Sequence, residues 1–250
     1  LLGWDIISDC HGCYTELCQL FEELGYLRDG LSFEPPTGRI AVFVGDLVSR
    51  GPNSLAVIFL VRDMINKRYA MSVLGNHDSK IARWSKGNPV MLTHGDDGTA
   101  REIENSTTIT KEEVVDFFSS LPLFLKLDDE KLVVVHACFK DHLLKESGFS
   151  KRCRDTCLFG PSAGMDKDLG IPNRIEWVNK RICDSNSPLI VYGHEPRLEA
   201  RLENKTAGID TGCVFGNKLT ALRYPEMELV QVPALKSYHG KVGEWKPQEP

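Results

Sequence analysis

GDLVSRGP, residues 45–52, follows directly on the apolar run IAVFV at 40–44. A run that is apolar throughout reads as a strand buried on both faces. At its end stand two opposite charges, Asp46 and Arg50, set between Gly45 and Gly51, with the small neutral Ser49 beside the arginine. Pro52 and Asn53 then open a helical pattern, NSLAVIFLVRDMINK (53–67), that ends in basic residues.

The same order of elements recurs on either side. Upstream, DIIS (5–8) reads as a strand, and YTELCQLFEELGY (14–26) as a helix with i, i+3/i+4 apolar spacing that stops at Gly25. Downstream, MSVL (71–74), KLVVVH (131–136) and PLIVYGH (188–194) read as further strands. Strand–helix–strand–helix–strand order implies a parallel sheet with right-handed crossovers. EEVVDFFSSL (112–121) predicts a helix and TALRYPEMELVQVP (220–233) two strands around a Pro-containing turn. Residues 140–187 are polar and irregular and give no clear pattern.

A chain of 250 residues, 42% hydrophobic and 26% charged, suffices for one large core. We read residues 1–235 as that domain and 236–250, with Pro247 and Pro250, as a C-terminal tail or linker. A formal net charge of -5 gives no reason for tight, sequence-independent binding to a nucleic-acid backbone. No apolar run reaches the roughly 18 residues of a membrane span, so no membrane partner is expected. The 8 cysteines read as reduced thiols of a cytoplasmic protein, since a histidine interrupts the CxxC of Cys10 and Cys13 and no second pair follows at zinc-finger spacing.

Ligand-type side chains gather where the apolar runs end. Asp9 and His11 follow the first, Asp46 the second, and Asn76, His77 and Asp78 (GNHD) the third; His136 and His194 close the last two. In a parallel sheet these ends share one rim, where sites are built. So many ionisable groups buried together would be costly without cations to neutralise them. Carboxylate, amide and imidazole without thiolate suit Mn²⁺, Fe, Zn²⁺ or Ni²⁺ and argue against iron–sulfur or Cu(I). Asp9, His11, Asp46, Asn76, His136 and His194 are too many for one tetrahedral site, so two ions are expected.

In order and spacing, SDCHG, GDLVSRGP, GNHD, VVVHA and YGHEP resemble the motifs of the calcineurin-like metallophosphoesterases of the phosphoprotein-phosphatase type. GNPVMLTHGDDGTA (87–100) and IDTGCVFGNKLTALRYPE (209–226) resemble a narrower bacterial-type branch. That branch holds the phosphatase domain of polynucleotide kinase-phosphatase and related symmetrical diadenosine tetraphosphatases. The fold implied is α/β (α+β layered): two mixed β-sheets packed face to face with flanking helices. The resemblance implies two divalent ions, Mn²⁺ first, with Ni²⁺, Fe, Zn²⁺ or Co²⁺ as alternatives. Asp9 and His11 would hold one ion, Asn76, His136 and His194 the other, and Asp46 would bridge them. Arg50 would grip the phosphate, with Asn76 beside it, and His77, oriented by Asp78, would protonate the leaving oxygen. Arg197, just after YGHEP, would either reach substrate or pair with a carboxylate. For His94 a structural role is expected, and for His142 and His239 a surface position.

The function implied is a binuclear phosphoesterase removing phosphate from nucleotides or from 2′ or 3′ RNA or DNA ends. In that reading the chain is an excised domain whose partners are kinase and ligase domains of a longer polypeptide. Symmetrical hydrolysis of diadenosine tetraphosphate is the alternative; a protein Ser/Thr phosphatase or a non-catalytic domain of a repair complex ranks below it. Ser49 favours a nucleotide-type substrate, because most protein phosphatases of this type carry Asp there. It is expected to leave Arg50 without an adjacent carboxylate and free for a longer polyphosphate. Pro161 in LFGPSAG (158–164) departs from the LYGD stretch of the repair phosphatases and puts a substrate contact there in doubt.

Overall fold

The computed structural model describes residues 3–145, 150–165 and 172–240. In chain order the elements begin β1 (Gly3–Ile7), α1 (Tyr14–Glu23), β2 (Leu27–Asp29), β3 (Ser32–Glu34), β4 (Arg39–Phe43), α2 (Ser54–Asn66) and β5 (Ala70–Ser72). There follow α3 (Asn76–Ser85), α4 (Asp96–Glu104), α5 (Lys111–Ser120), β6 (Phe124–Leu127), β7 (Leu132–Val135) and α6 (Lys151–Phe159). The chain continues with β8 (Ser162–Met165), β9 (Pro172–Arg174), β10 (Leu189–Tyr192), β11 (Arg201–Glu203), β12 (Thr206–Gly208), β13 (Lys218–Tyr224) and β14 (Glu228–Pro233).

Two sheets dominate, ordered β14-β13-β1-β4-β5 and β11-β12-β10-β7-β6. Strand alternation explains why they stack. Trp4, Ile6, Val42 and Val44 from the first sheet meet Leu132, Val134, Val191 and Ala207 from the second in one cluster. Their neighbours Ile7, Phe43, Val133, Val135 and Tyr192 point the other way, into a cluster shared with the helices. Each central strand is thus buried on both faces, which is why its sequence is continuously apolar rather than alternating. The resemblance implied this layered, mixed-sheet fold, and the structure has it.

β1, β4 and β5 run parallel, as the element order required, and so do β7, β10 and β12; antiparallel strands flank both sets. The C-terminal ends of β1, β4 and β5 therefore open on one rim, and those of β7 and β10 face them across the sandwich. The tail strands β13 and β14 pair around Pro225 as expected. The stretch that gave no clear pattern holds the helix α6, opened by Ser150, whose Oγ accepts from Cys153 N. Residues 234–240 stay against the domain, with Tyr238 Oη donating to Glu16 Oε1 at 2.7 Å. The rest of the expected tail, 241–250, lies outside the described residues.

Asp5 ties β1 to both of its neighbours. Its fully buried carboxylate accepts from Arg39 on β4 at 2.8 Å, from Arg223 on β13 at 3.2 Å and from Tyr26 Oη at 3.0 Å. Among the described residues, Asp5→Ala would leave Arg39 only Glu226 as an ionic partner and Arg223 only the Leu24 carbonyl, and should cost about 3 kcal/mol, read as a lower urea midpoint with an unchanged slope.

Candidate metal centre

The loops that leave the parallel strands carry the candidate ligands, and several hold them in strained backbone. His11 (φ 41), Asp46 (φ 49) and His194 (φ 67) all adopt the left-handed region, as do Ser49 (φ 75) and Arg50 (φ 70). Such residues cost of order 1–3 kcal/mol each and persist only where the surroundings over-determine them. Two glycines make the close approach possible. A Cβ on Gly193 would lie 1.8 Å from Asp9 Oδ1, and one on Gly75 would lie 2.3 Å from Asp46 Oδ1.

Two sets of potential ligand atoms result, Asp9–His11–Asp46 and Asp46–His136–His194, and Asp46 belongs to both. Asp46 Oδ2 lies 3.6 Å from His11 Nε2 and 3.5 Å from His136 Nε2, while Oδ1 accepts from His77 N at 2.9 Å. His136 Nε2 is also 2.8 Å from Asn76 Oδ1 and 3.1 Å from His194 Nδ1, so the second set gains the amide oxygen. Backbone carbonyls fix two of the rings: Nδ1–H of His11 donates to Val48 O at 2.9 Å, and that of His136 to Val44 O at 3.0 Å. Each ring is thereby held with Nε2 inward, the arrangement that prepares an imidazole for a metal. Asp9 Oδ2 accepts from His194 N at 2.9 Å, but its Oδ1 is buried with no hydrogen-bond partner. An orphaned carboxylate oxygen facing imidazole and carboxylate is what a cation-binding centre leaves behind, and the donor set suits a borderline divalent ion.

Electrostatics point the same way. Burial, reinforced by Asp210 and Asp46, pushes the Asp9 carboxyl well above its ordinary value. For Asp46 burial acts upward too, yet the surrounding His136, His77, His11 and His194 outweigh it and hold the group low. Burial pushes His11, His136 and His194 down, with Arg50 adding to the effect at His11 and Arg174 at His194. The rings are therefore kept neutral, the form that coordinates.

All six expected ligands converge, and Arg50 joins them with Nη1 2.9 Å from His11 Nε2. Arg197 pairs with Glu195 at 3.3 Å, the carboxylate that Arg174 also meets at 3.8 Å. Asp78 was expected to orient His77, and the structure corrects this. At the third position of α3 its carboxylate turns back to accept from Gly75 N at 3.0 Å and Leu47 N at 2.9 Å. The carboxylate bonded to His77 Nδ1 is Asp96, at 2.7 Å. Ser49 meets the same carboxylate, its hydroxyl donating to Asp96 Oδ1 at 2.8 Å.

Three residues escaped the sequence reading. Asp96 is fully buried at the start of α4. Asp210, after β12, is buried close enough to raise Asp9, and burial lifts its own pKa to about 6. Arg174 donates from Nη1 to His194 O at 3.2 Å and lies 3.8 Å from Glu195, and the charges of Asp210, Arg50 and Asp9 also reach it. His94 and His239, placed outside the site by sequence, both feel Arg50, and His239 meets Phe215 at 6.2 Å. His142 is exposed, as expected.

Chelation should therefore destabilise the protein. Removing cations held at about 100 times their Kd costs roughly 2.7 kcal/mol per site, which is roughly 5–10 °C in Tm for a chain of this size. Differential scanning fluorimetry with and without EDTA, then with Mn²⁺ restored, checks this; coincident midpoints would deny a cation-holding centre.

Comparison with known proteins fits this geometry. The family model for calcineurin-like phosphoesterases matches residues 5–230. The chain is 40% identical over 237 residues to the bis(5′-nucleosyl)-tetraphosphatase PrpE [asymmetrical] of Halalkalibacterium halodurans, covering 93% of this chain and 94% of that one. With the Bacillus subtilis protein of the same name it shares 40% over 243 residues, 95% of this chain and 97% of that one. Among solved structures, a candidate diadenosine tetraphosphatase superposes with a TM-score of 0.66 at 24% identity, covering 93% of this chain and 94% of that one. A Saccharomyces cerevisiae protein serine/threonine phosphatase gives 0.62 at 17% identity, covering 93% and 79%. A rim that gathers five further candidate N and O ligands around the shared Asp46, on this fold and with these relatives, places the chain in the calcineurin-like phosphoesterase family, as a metal-dependent hydrolase of phosphate esters or anhydrides.

Proposed function

We propose that the protein hydrolyses dinucleoside tetraphosphates asymmetrically, to a nucleoside monophosphate and a triphosphate. The observation that carries this reading is the 40% identity, over 93–95% of the chain, to two proteins named as asymmetrical tetraphosphatases. It displaces the two readings that sequence favoured, RNA-end phosphatase and symmetrical hydrolase, and keeps their common part, phosphorus chemistry on a nucleotide. Among the described residues no helix is long and apolar enough to cross a membrane.

Asp9, His11 and Asp46 would hold one divalent ion, and Asp46, Asn76, His136 and His194 the second, with Mn²⁺ the first candidate. Two such ions would supply an acidified water as nucleophile and would neutralise phosphate charge. The chain's own residues do the rest. Arg50 offers a planar fork to phosphate oxygens, and its place beside His11 puts that fork at the mouth of the centre. Arg174, whose Nη1 donates to His194 O, is a further cation beside the centre, although it shares Glu195 with Arg197. A tetraphosphate bridge would offer anionic oxygens to both guanidinium groups. His77, wedged edge-on against the His11 ring at 5.1 Å, would pass a proton to the leaving oxygen as the P–O bond breaks.

Anion-exchange analysis after incubating the protein and Mn²⁺ with diadenosine tetraphosphate should show AMP and ATP in equal amounts. Two ADP per substrate would assign symmetrical cleavage, and faster release of phosphate from a 3′-phosphorylated oligoribonucleotide would restore the RNA-end reading. A second prediction concerns the proton. His77→Ala should slow alkyl phosphate esters by roughly 10²–10⁴-fold and aryl esters with acidic phenols far less. Equal losses on both, in steady-state assays, would remove His77 from that role.

A further inference from the structure

Asp96 sits 19 residues beyond His77 in sequence yet bonds to its ring. Its carboxylate is the hub of a closed set of donors. Oδ1 accepts from His77 Nδ1–H at 2.7 Å and from Ser49 Oγ–H at 2.8 Å; Oδ2 accepts from Lys80 Nζ at 2.6 Å and from Thr93 N at 3.2 Å. The helix that carries it is docked against GDLVSRGP at two further points. Thr99 Oγ1, one turn along α4, accepts from Ser49 N at 3.1 Å, and Gly95 O accepts from Arg50 N at 3.3 Å. Asp96, Ser49 and Thr99 are each at most 1% exposed, so this junction is dry.

Position 49 and the Asp96 carboxylate therefore reach into one space beside His77. A carboxylate on residue 49 would occupy the place its hydroxyl now fills, against Asp96 Oδ1. Two unpaired carboxylates there would repel, so the sequence can afford only one of them. We propose that Asp96 is the positioning residue for His77, delivered by α4 in exchange for the carboxylate that position 49 lacks. Because a carboxylate only accepts, it fixes the ring with Nδ1–H outward and leaves Nε2 to face the substrate. Lys80 and Thr93 hold Asp96 by its other oxygen, so the ring is braced through α3 and α4 together. The proposal rests on the role given to His77 above, but the orientation of the ring can be read without turnover.

The test is an exchange. Asp96→Ala should lower kcat on a phosphate ester with a poor leaving group by roughly 10–100-fold, with KM near the parent value and a smaller loss on an aryl ester with an acidic phenol. Adding Ser49→Asp to Asp96→Ala should recover most of that kcat, while Ser49→Asp alone should impair the protein. Two-bond ¹H–¹⁵N spectra of the Zn²⁺-loaded protein, at a pH where the ring is neutral, should show His77 protonated at Nδ1 in the parent and the double variant and mixed in Asp96→Ala. If the Asp96→Ala variant folds poorly, Asp96→Asn with the same spectrum carries the test. An unchanged His77 tautomer without the Asp96 carboxylate, or a folded double variant with no recovery, overturns the proposal. A parent protein that shows the tautomer but yields no AMP and ATP refutes the substrate assignment alone.

Discussion

The structure depends on one carboxylate. Asp46 lies at the junction of two sheets, 2% exposed, with His11, His77, His136 and His194 all acting on its charge. Burying a lone carboxylate in such a place would cost several kcal/mol, so the imidazoles around it are a condition of folding as well as of chemistry. The rings in turn are pressed toward the neutral state by burial. Only cations satisfy both sides, because they neutralise Asp46 and Asp9 while leaving the rings unprotonated. The site is coherent when loaded, and frustrated when stripped.

That frustration is carried by backbone geometry. Five residues of the centre stand at positive φ without being glycine, and Gly75 and Gly193 pass so close to Asp46 and Asp9 that a methyl group would collide with the carboxylates. The strain is sustained by the layers behind it, where Ile6, Val42, Val134 and Val191 interlock across the sheets. A rigid sandwich can hold side chains in conformations that a loop alone would abandon, which is how ligands far apart in sequence keep a common geometry.

Much of this was legible in the sequence, for a definite reason. Strands buried on both faces leave continuous apolar runs, and parallel order sends their ends to one rim, so Asp9, Asp46, Asn76, His136 and His194 announce themselves by position. The motif resemblance added their roles. What stayed hidden was set by tertiary packing. The resemblance assigned Asp78 to the His77 ring, but at the third position of a helix its carboxylate turns back to the open N–H groups at the helix start. Asp96 reads as a plain first-turn acid of α4, favourable to the helix dipole, and nothing local reveals that the helix docks on Ser49. Arg174 lay in a stretch without pattern. Asp210 stood inside a family-like motif, and its place after an apolar strand end was the one signal that could have found it.

The charge balance sets the order in which the site works. A chain of net charge -5 does not draw a polyphosphate from a distance, and Asp9, Asp46 and Asp210 make the rim itself acidic. Arg50 and Arg174 face these carboxylates as much as they face solvent, so before cations arrive they are partly spent on the protein. Cations held there would neutralise the carboxylates and leave Arg50 freer to turn to an incoming anion. On the proposed function, anion binding at this rim would then follow cation binding. The same logic explains why Asp96 is walled off by Lys80, Thr93 and Ser49: a carboxylate needed to aim an imidazole must not compete for the ions beside it.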